Sequence, residues 1–253
     1  MPKVSVIIPT YNRKEYLEIA IRSAINQTYR DVEVLILDDC STDNTTEIFD
    51  DYEYTKFVRC IVNQENIGFI RNWNKGVGLS SGEYIKIMGD DDLLEISCIA
   101  KQVAILDNNP DVGIVCCDYF IINEDGMIEN NNDLYRLFDR DTKEDGISFM
   151  SKYLLGRRRA GWPTSILFRR QDFDKVGGFD VNAGVAADID MWCRILRDSK
   201  FYYIDKKLAY NRQFKGLNNL SKRMDRSGKE YFLTELTNYL KTARGLNGGT
   251  STS

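Results

Sequence analysis

"VSVIIPTYNRKEYLEIAIRSAINQTYRDVEVLILDD" runs from Val4 to Asp39. Val4-Ser5-Val6-Ile7-Ile8 is a short β-branched run that Pro9 brings to an end. Leu17, Ile21, Ala24 and Ile25 then recur at helical spacing, and Val32 to Leu37 is a second apolar run. A strand, an amphipathic helix and another strand in this order make a crossover unit, which sets its strands parallel. Asn12 followed by Glu15 has the spacing of a capping box, so the helix is expected to start there.

The same alternation continues outward. A polar turn, Asp38 to Thr45, precedes a short helix ending near Asp51, and Phe57 to Val62 reads as a third strand. Asn66-Ile67-Gly68 leads into a helix carrying Arg71-Asn72-Trp73, and Ser80-Ser81-Gly82 turns the chain into a strand from Tyr84 to Met88. Ile96, Ile99, Val103 and Leu106 mark another helix, and Val112 to Cys116 another strand. The second half is less regular. Asn123 to Asp145 is polar and reads as loop, Ile147 to Leu155 as helix, and Ser165 to Phe168 as strand. Gly177-Gly178-Phe179-Asp180 is a turn; a helix begins near Asp188, and Phe201 to Ile204 is a late strand. Ser221 to Arg244 reads as a polar helix and Gly245 to Ser253 as a disordered tail.

In a doubly wound sheet, ligands gather outside the carboxyl ends of the strands. Thr10-Tyr11-Asn12-Arg13, Asp38-Asp39 and Asp90-Asp91-Asp92 each follow directly on a strand. Three strand ends therefore offer a ring, a basic group and two acidic groups to one place. Three consecutive carboxylates repel one another, so the Asp90–Asp92 stretch is a solvated turn, a helix cap or a cation site. Asp92 with Glu95 three residues later has capping-box spacing.

Composition narrows the chemistry. Among 253 residues there is no histidine, which removes Ser-His-Asp catalysis and His-based zinc sites. Acid–base work falls to carboxylates, Lys, Tyr or Cys, and a metal would be held by oxygen ligands, favouring Mg²⁺ or Mn²⁺. A net charge of -4 argues against bulk nucleic-acid binding. Six cysteines form no C-x-x-C pair, which suits buried thiols in a reducing cytoplasm. No apolar run approaches the ~20 residues of a spanning helix, and the first residues lack a signal-peptide layout.

Five stretches, in this order, resemble the motifs of a family 2 glycosyltransferase with the GT-A fold. They are "VIIPTYNR" (Val6 to Arg13), "LILDDCSTDNT" (Leu35 to Thr45), "NIGFIRNWNKG" (Asn66 to Gly76), "SSGEYIKIMGDDD" (Ser80 to Asp92) and "KVGGFD…AADIDMW" (Lys175 to Trp192). The resemblance covers about the first 215 residues. It implies one GT-A domain over 1–215, with a nucleotide-binding half to about 115 and an acceptor and base half from 116 to 215. The C-terminal helical extension with its tail, 216–253, follows. It further implies inverting transfer of a sugar from a nucleotide-diphosphate donor, with UDP favoured over dTDP, assisted by Mn²⁺ or Mg²⁺. The acceptor would be a hydroxyl of a glycan, glycolipid or glycoprotein. The expected setting is cytoplasmic polysaccharide biosynthesis, with the inner face of the membrane as an alternative station and a homo-oligomer compatible with the polar C-terminal helix.

Residue by residue, the resemblance places Pro9, Thr10, Tyr11, Arg13, Asn66 and Arg71 on the nucleotide, with Tyr11 stacking on the base and Arg71 holding the diphosphate. Asp39 would accept from a uracil-type ring N–H while Asp38 braces the loop. The family reads Asp-x-Asp-Asp (a DXD-type motif) where this chain has Gly89-Asp90-Asp91-Asp92. Asp91 then falls on the metal position and Asp90 takes over the ribose contact; the other register uses Asp90 and Asp92. Asp188 would be the general base, although Ala187 stands where the family commonly has an acid. Asp190 caps or braces. Arg212 and Lys215 fall where a loop closes on the diphosphate, and Trp162 lines the acceptor side or simply packs. Arg157-Arg158-Arg159 is a solvated run or a contact for an anionic acceptor.

Three rivals stand beside this reading. A phosphoacceptor signalling domain also has acidic strand ends, but gives no role to the Asp188 helix. A sugar nucleotidyltransferase would show a Gly-rich basic loop after the first strand, which Pro9 to Arg13 is not. A family member that binds nucleotide-sugar without turnover is kept alive by Gly89 and Ala187.

Overall fold

The computed structural model describes residues 2–51, 57–129, 136–154 and 162–214. Lys215, the Arg157–Arg159 run and the whole 216–253 extension lie outside the described residues, as do the boundary and C-terminal helix expected there.

The elements in order are β1 (Val4–Thr10), α1 (Lys14–Ile25), β2 (Val32–Asp38), a 3₁₀ turn (Thr45–Asp51), β3 (Val58–Val62), α2 (Phe69–Leu79) and β4 (Tyr84–Ile87). Then come β5 (Leu93–Leu94), α3 (Cys98–Asn108), β6 (Val112–Ile122), β7 (Thr142–Asp145) and α4 (Gly146–Leu154). A 3₁₀ turn (Pro163–Ser165) precedes β8 (Ile166–Arg169), α5 (Arg170–Val176), α6 (Ala187–Leu196) and β9 (Lys200–Arg212). One sheet runs in the order β3-β2-β1-β4-β8-β6-β9-β5, with β7 added beside β9. The pairs β3/β2, β2/β1 and β1/β4 are parallel, as the crossover pattern requires. Beyond β4 the sheet is mixed: β8 runs antiparallel to both β4 and β6, while β6 and β9 are parallel again. The two expected halves thus share a single sheet.

Both faces of that sheet are covered, which is why its inner strands read as nearly unbroken apolar runs. Along β1, Val4, Val6 and Ile8 join a core with Leu17 and Ile21 of α1 and Ile99 and Val103 of α3. Ile7 points the other way, as strand alternation demands. It joins Leu35, Leu37, Ile70 of α2 and Met191 and Trp192 of α6. Among the described residues no helix is long and apolar enough to cross a membrane. All six cysteines are free thiols; Cys98, Cys116 and Cys117 are buried.

Two strands are longer than the sequence pattern announces. β6 continues past Cys116 to Ile122, and β9 runs on past Ile204 to Arg212. Asp118 in one and Asp205-Lys206-Lys207 in the other interrupt the apolar pattern. The two strands nevertheless pair, with a bulge between Cys117 and Asp118. β7 likewise falls in the stretch expected to be loop.

Neither proposed capping box forms. Arg13, not Asn12, occupies the N-cap of α1, and no side chain caps it. Asn12 adopts a left-handed backbone (φ 53°) and spends its side chain elsewhere, accepting from Thr42 N–H at 2.7 Å. The N-cap of α3 is Ser97, five residues past Asp92. Glu95 accepts from Ser97 N–H at 2.8 Å, and Asp92 belongs to a different network described below.

Gly82 is a close-packing device. A Cβ there would stand 2.5 Å from the Ser5 main-chain nitrogen. Gly82→Ala must therefore push β1 and β4 apart, and is expected to cost roughly 1–3 kcal/mol of stability, read as a lower Tm in a thermal melt.

Candidate active site

The parallel order β2-β1-β4 sets three strand ends side by side. Thr10 lies opposite Asp38 in the β1/β2 register, and Asp39 N–H donates to Thr10 O at 2.9 Å. Met88 N–H donates to Ile7 O, which brings the Gly89–Asp92 turn beside Pro9 and Thr10. Tyr11 is about half exposed at 47% and free to offer its ring. Arg13 sits near the acidic turn, where its guanidinium favours the charged forms of Asp90 and Asp91, and lies 4.5 Å over the Phe214 ring. Thr10 Oγ1 is buried beside the Asp90 carboxylate, whose charged form it favours.

The two acids ending β2 are both buried and both engaged. Asp38 accepts from the Ser41 N–H at 3.0 Å and from the Ser41 hydroxyl, as a loop brace should. Asp39 does more local work than expected. Its oxygens accept from Asn63 Nδ2 at 2.7 Å, Ile67 N–H at 2.9 Å and Gly68 N–H at 2.9 Å. It therefore fixes the Asn66–Gly68 loop, in which Gly68 is left-handed (φ 84°). A carboxylate has about four acceptor positions, so one remains for a ligand. Asn66 is exposed and folds back to accept from Gly68 N–H at 3.1 Å. Arg71 is exposed on α2. An open hollow of about 680 Å³ lies alongside, lined by Val62, Asn63, Gln64, Glu65, Ile67 and Lys75.

The acidic triplet separates into distinct environments. Burial and the neighbouring Asp91 charge push Asp90 well above the usual carboxylate range. Burial also raises Asp91, against the pull of Arg13. Asp92 is taken up by the fold: it accepts from Arg212 N–H at 2.9 Å, Asn211 Nδ2 at 3.3 Å and the Thr164 hydroxyl. Gly89 makes room for this curl. A Cβ there would meet Asp92 Oδ2 at 2.9 Å and Asp91 Oδ1 at 3.1 Å. An acid at position 89, as in the family pattern, would crowd the two carboxylates as the turn stands. Among the described residues no group of three or more acidic or thiol side chains converges to hold a metal alone. Asp91 still suits a small hard cation, which can be bound through as few as one or two carboxylates and completes its sphere with water and substrate phosphate.

Asp188 is the second residue of α6, and its carboxylate accepts from Ile189 N–H at 2.8 Å. It lines a recess of about 10 Å³ with Trp73, Ile87, Pro163, Phe179 and Trp192, room for about one water. This apolar lining penalises the charged form and lifts the carboxyl to about 6. Tyr153 of α4 is close enough that the Asp188 charge pushes its phenol further up.

Three further expectations are corrected or narrowed. Asp190 is a brace: it pairs with Arg194, which also donates to Val176 O and Gly178 O and so holds the α5–α6 turn. Arg212 places Nε on Asp91 O at 2.9 Å and Nη1 on Asn123 O at 2.9 Å and Glu124 O at 2.8 Å, so it buttresses the acidic turn from behind. Trp162 packs against the core, and its carbonyl accepts from Ser165. The sequence reading missed Lys86, fully buried in the middle of β4. Its one signal was a lysine inside an otherwise apolar run, Tyr84 to Met88.

The family model for glycosyl transferase family 2 matches residues 5–177. This chain belongs to that family. An uncharacterized glycosyltransferase of Rickettsia typhi is 32% identical over 214 residues, covering 83% of this chain and 64% of the relative. A chondroitin synthase of Escherichia coli is 27% identical over 92% of this chain and 32% of its own length. The chain thus spans less than two thirds of these curated relatives. Among solved structures, S. aureus TarS 1–349 in complex with UDP-GlcNAc superposes with a TM-score of 0.75 at 19% identity, covering 92% of this chain and 66% of that one. A mannosyltransferase from Pyrobaculum calidifontis in complex with GDP-Man and Mn²⁺ gives 0.64 at 18% identity, covering 98% of this chain and 76% of that one. At those identities the likeness shows the fold, and the fold is GT-A. The chain is thus a member of glycosyl transferase family 2 by sequence and a GT-A protein by architecture.

Proposed function

We propose that this chain is an inverting glycosyltransferase that moves a sugar from a nucleotide-diphosphate donor, UDP-linked in the first instance, to a hydroxyl of a glycan, glycolipid or glycoprotein. The observation that carries the reading is Asp188, a carboxyl lifted to about 6 in an apolar recess opening beside Pro163 and Trp73. At neutral pH it is ionised yet basic enough to take the proton of an attacking hydroxyl, which is what inversion by direct displacement requires of one residue. Tyr11, Arg13, the spare acceptor position of Asp39 and the Thr10 hydroxyl beside Asp90 supply stacking, charge and polar contacts for the nucleotide. Asp91 would hold Mn²⁺ or Mg²⁺, with Asp90 beside it placed for the ribose. A bound cation would stabilise the charge that grows on the departing diphosphate. Two neighbours whose complexes contain UDP-GlcNAc, or GDP-Man with Mn²⁺, support the donor class and the metal. Asp38 and Asp39, with 0% and 3% exposure and their oxygens engaged, offer a phosphoacceptor reading little to work with.

Thermal melts with UDP, dTDP, CDP and GDP, each with and without Mn²⁺, test the proposal. UDP with Mn²⁺ should raise Tm most, because a ligand at 100 times its Kd adds about 2.7 kcal/mol. A nucleotide response indifferent to metal overturns the metal assignment, and no response to any nucleotide overturns the whole. Mass spectrometry of reactions with candidate sugars and acceptors then names the product.

A further inference from the structure

Lys86 occupies the centre of β4 with no exposed surface, and its ammonium donates to Thr164 O at 2.7 Å and Ile166 O at 3.0 Å. Burying an ammonium against two carbonyls is costly compared with an apolar side chain in the same strand. The residue it holds bridges two parts of the site. Thr164, 2% exposed, accepts from Gly89 N–H at 3.0 Å through its hydroxyl and donates that hydroxyl's proton to Asp92 Oδ2. Gly89 and Asp92 are the two ends of the acidic turn. The neighbour of Thr164 on one side is Pro163, which lines the Asp188 recess together with Ile166. Ser165, on the other side, is anchored by Gln102 donating to its carbonyl at 2.7 Å. One short 3₁₀ turn therefore touches the acidic turn on one flank and the recess on the other. It is pinned from beneath by a lysine.

We propose that Thr164, held by Lys86, is a positioning residue that fixes the Asp90–Asp91 turn relative to the Asp188 recess. The inference rests on the functional reading above, and deepens it by assigning what sets the spacing between the donor-phosphate side and the base side. Asp92 is in this view the pin through which the turn is gripped, and takes no part in holding the cation.

The test uses the whole chain with UDP and Mn²⁺. Thr164→Val keeps the shape and removes the hydroxyl; Thr164→Ser restores it; Thr164→Ala is a second deletion if the valine disturbs folding. Mn²⁺ affinity in the presence of UDP is measured by calorimetry or by the Mn²⁺ electron-spin signal, well below each variant's melting transition. Supports of metal ligands commonly change affinity by about 10–100-fold. The valine and alanine variants should therefore bind Mn²⁺ at least about tenfold more weakly, with kcat falling and KM for donor nearly unchanged, and serine should recover both. A purely structural residue would lower Tm and leave the Mn²⁺ affinity of the folded protein as it was. That result, or a serine variant as impaired as the valine one, overturns the proposal. Wild-type protein that binds no Mn²⁺ with UDP overturns the metal assignment on which the proposal rests, and so is told apart from failure of the positioning role alone.

Discussion

Asp188→Asn is expected to cut sugar transfer by about 10²–10⁴-fold while leaving nucleotide-sugar affinity within a factor of about two. The asparagine keeps an oxygen for Ile189 N–H, to which the carboxylate is bonded, so α6 should begin as before. What disappears is, among the described residues lining the Trp73–Pro163–Trp192 recess, the one group that can accept a proton. In the wild type, kcat should rise with pH through an apparent value near 6 and level off above it, because burial lifts the base to about 6 and it works only when ionised. The residual activity of the variant should lose that limb. A pH–rate profile and a donor-binding isotherm on the same preparation check both. Retained transfer removes Asp188 as the base.

The same substitution should stabilise the protein. A carboxyl at about 6 when folded and 3.8 as its ordinary value binds a proton in the native state that the unfolded chain has released. Stability therefore falls as pH rises between those two values and stays lower above them. Removing the charge should recover up to about 3 kcal/mol at neutral pH, less to the extent that water reaches the recess. A higher Tm with lost activity is the signature of a group kept for chemistry at the expense of the fold.

The parts of this site that the sequence discloses are the local ones. Pro9 to Arg13, Asp38-Asp39 and Asp90 to Asp92 follow apolar runs directly, and the β-α-β pattern alone puts those runs side by side in parallel. Asp188 is legible too, as an acid at the start of an amphipathic helix. The division of labour among neighbouring acids is another matter. Asp92 is a pin because Asn211 and Arg212 reach it from about 120 positions away, on a strand whose far half is hidden behind Asp205-Lys206-Lys207. The bonds by which Arg212 buttresses the turn are hidden for the same reason. Asp39 takes its protein partners from Asn63 and the Ile67-Gly68 main chain, and a main-chain donor carries no residue-type signal. Spacing rules describe neighbours along one helix or strand. They say nothing of a carboxylate whose hydrogen bonds arrive from a different part of the sheet.

That distinction drives the second large effect. Asp91→Asn is expected to abolish the Mn²⁺ enhancement of UDP binding and to lower transfer by at least about 10²-fold, since a cation held by so few protein oxygens cannot spare a charged one. Its fold should survive. Arg212 grips the Asp91 carbonyl, a main-chain group that the substitution leaves alone, and the carboxyl is raised by burial, so neutralising it relieves a penalty. Asp92→Ala should behave in the opposite sense. It strips an acceptor from Arg212 N–H and from the Thr164 hydroxyl, both buried, at about 1–3 kcal/mol for each donor left unmet. Its Tm should drop, and its metal response should weaken only as far as the turn slackens. Asp90→Asn discriminates the two registers: if Asp90 and Asp92 were the cation's ligands, it and not Asp91→Asn would erase the Mn²⁺ response. Melts and Mn²⁺ titrations of the three variants therefore order the acids by role. Full Mn²⁺ dependence in Asp91→Asn would move the cation to Asp90 and leave Asp91 as a carboxylate that Gly89 makes room for without need.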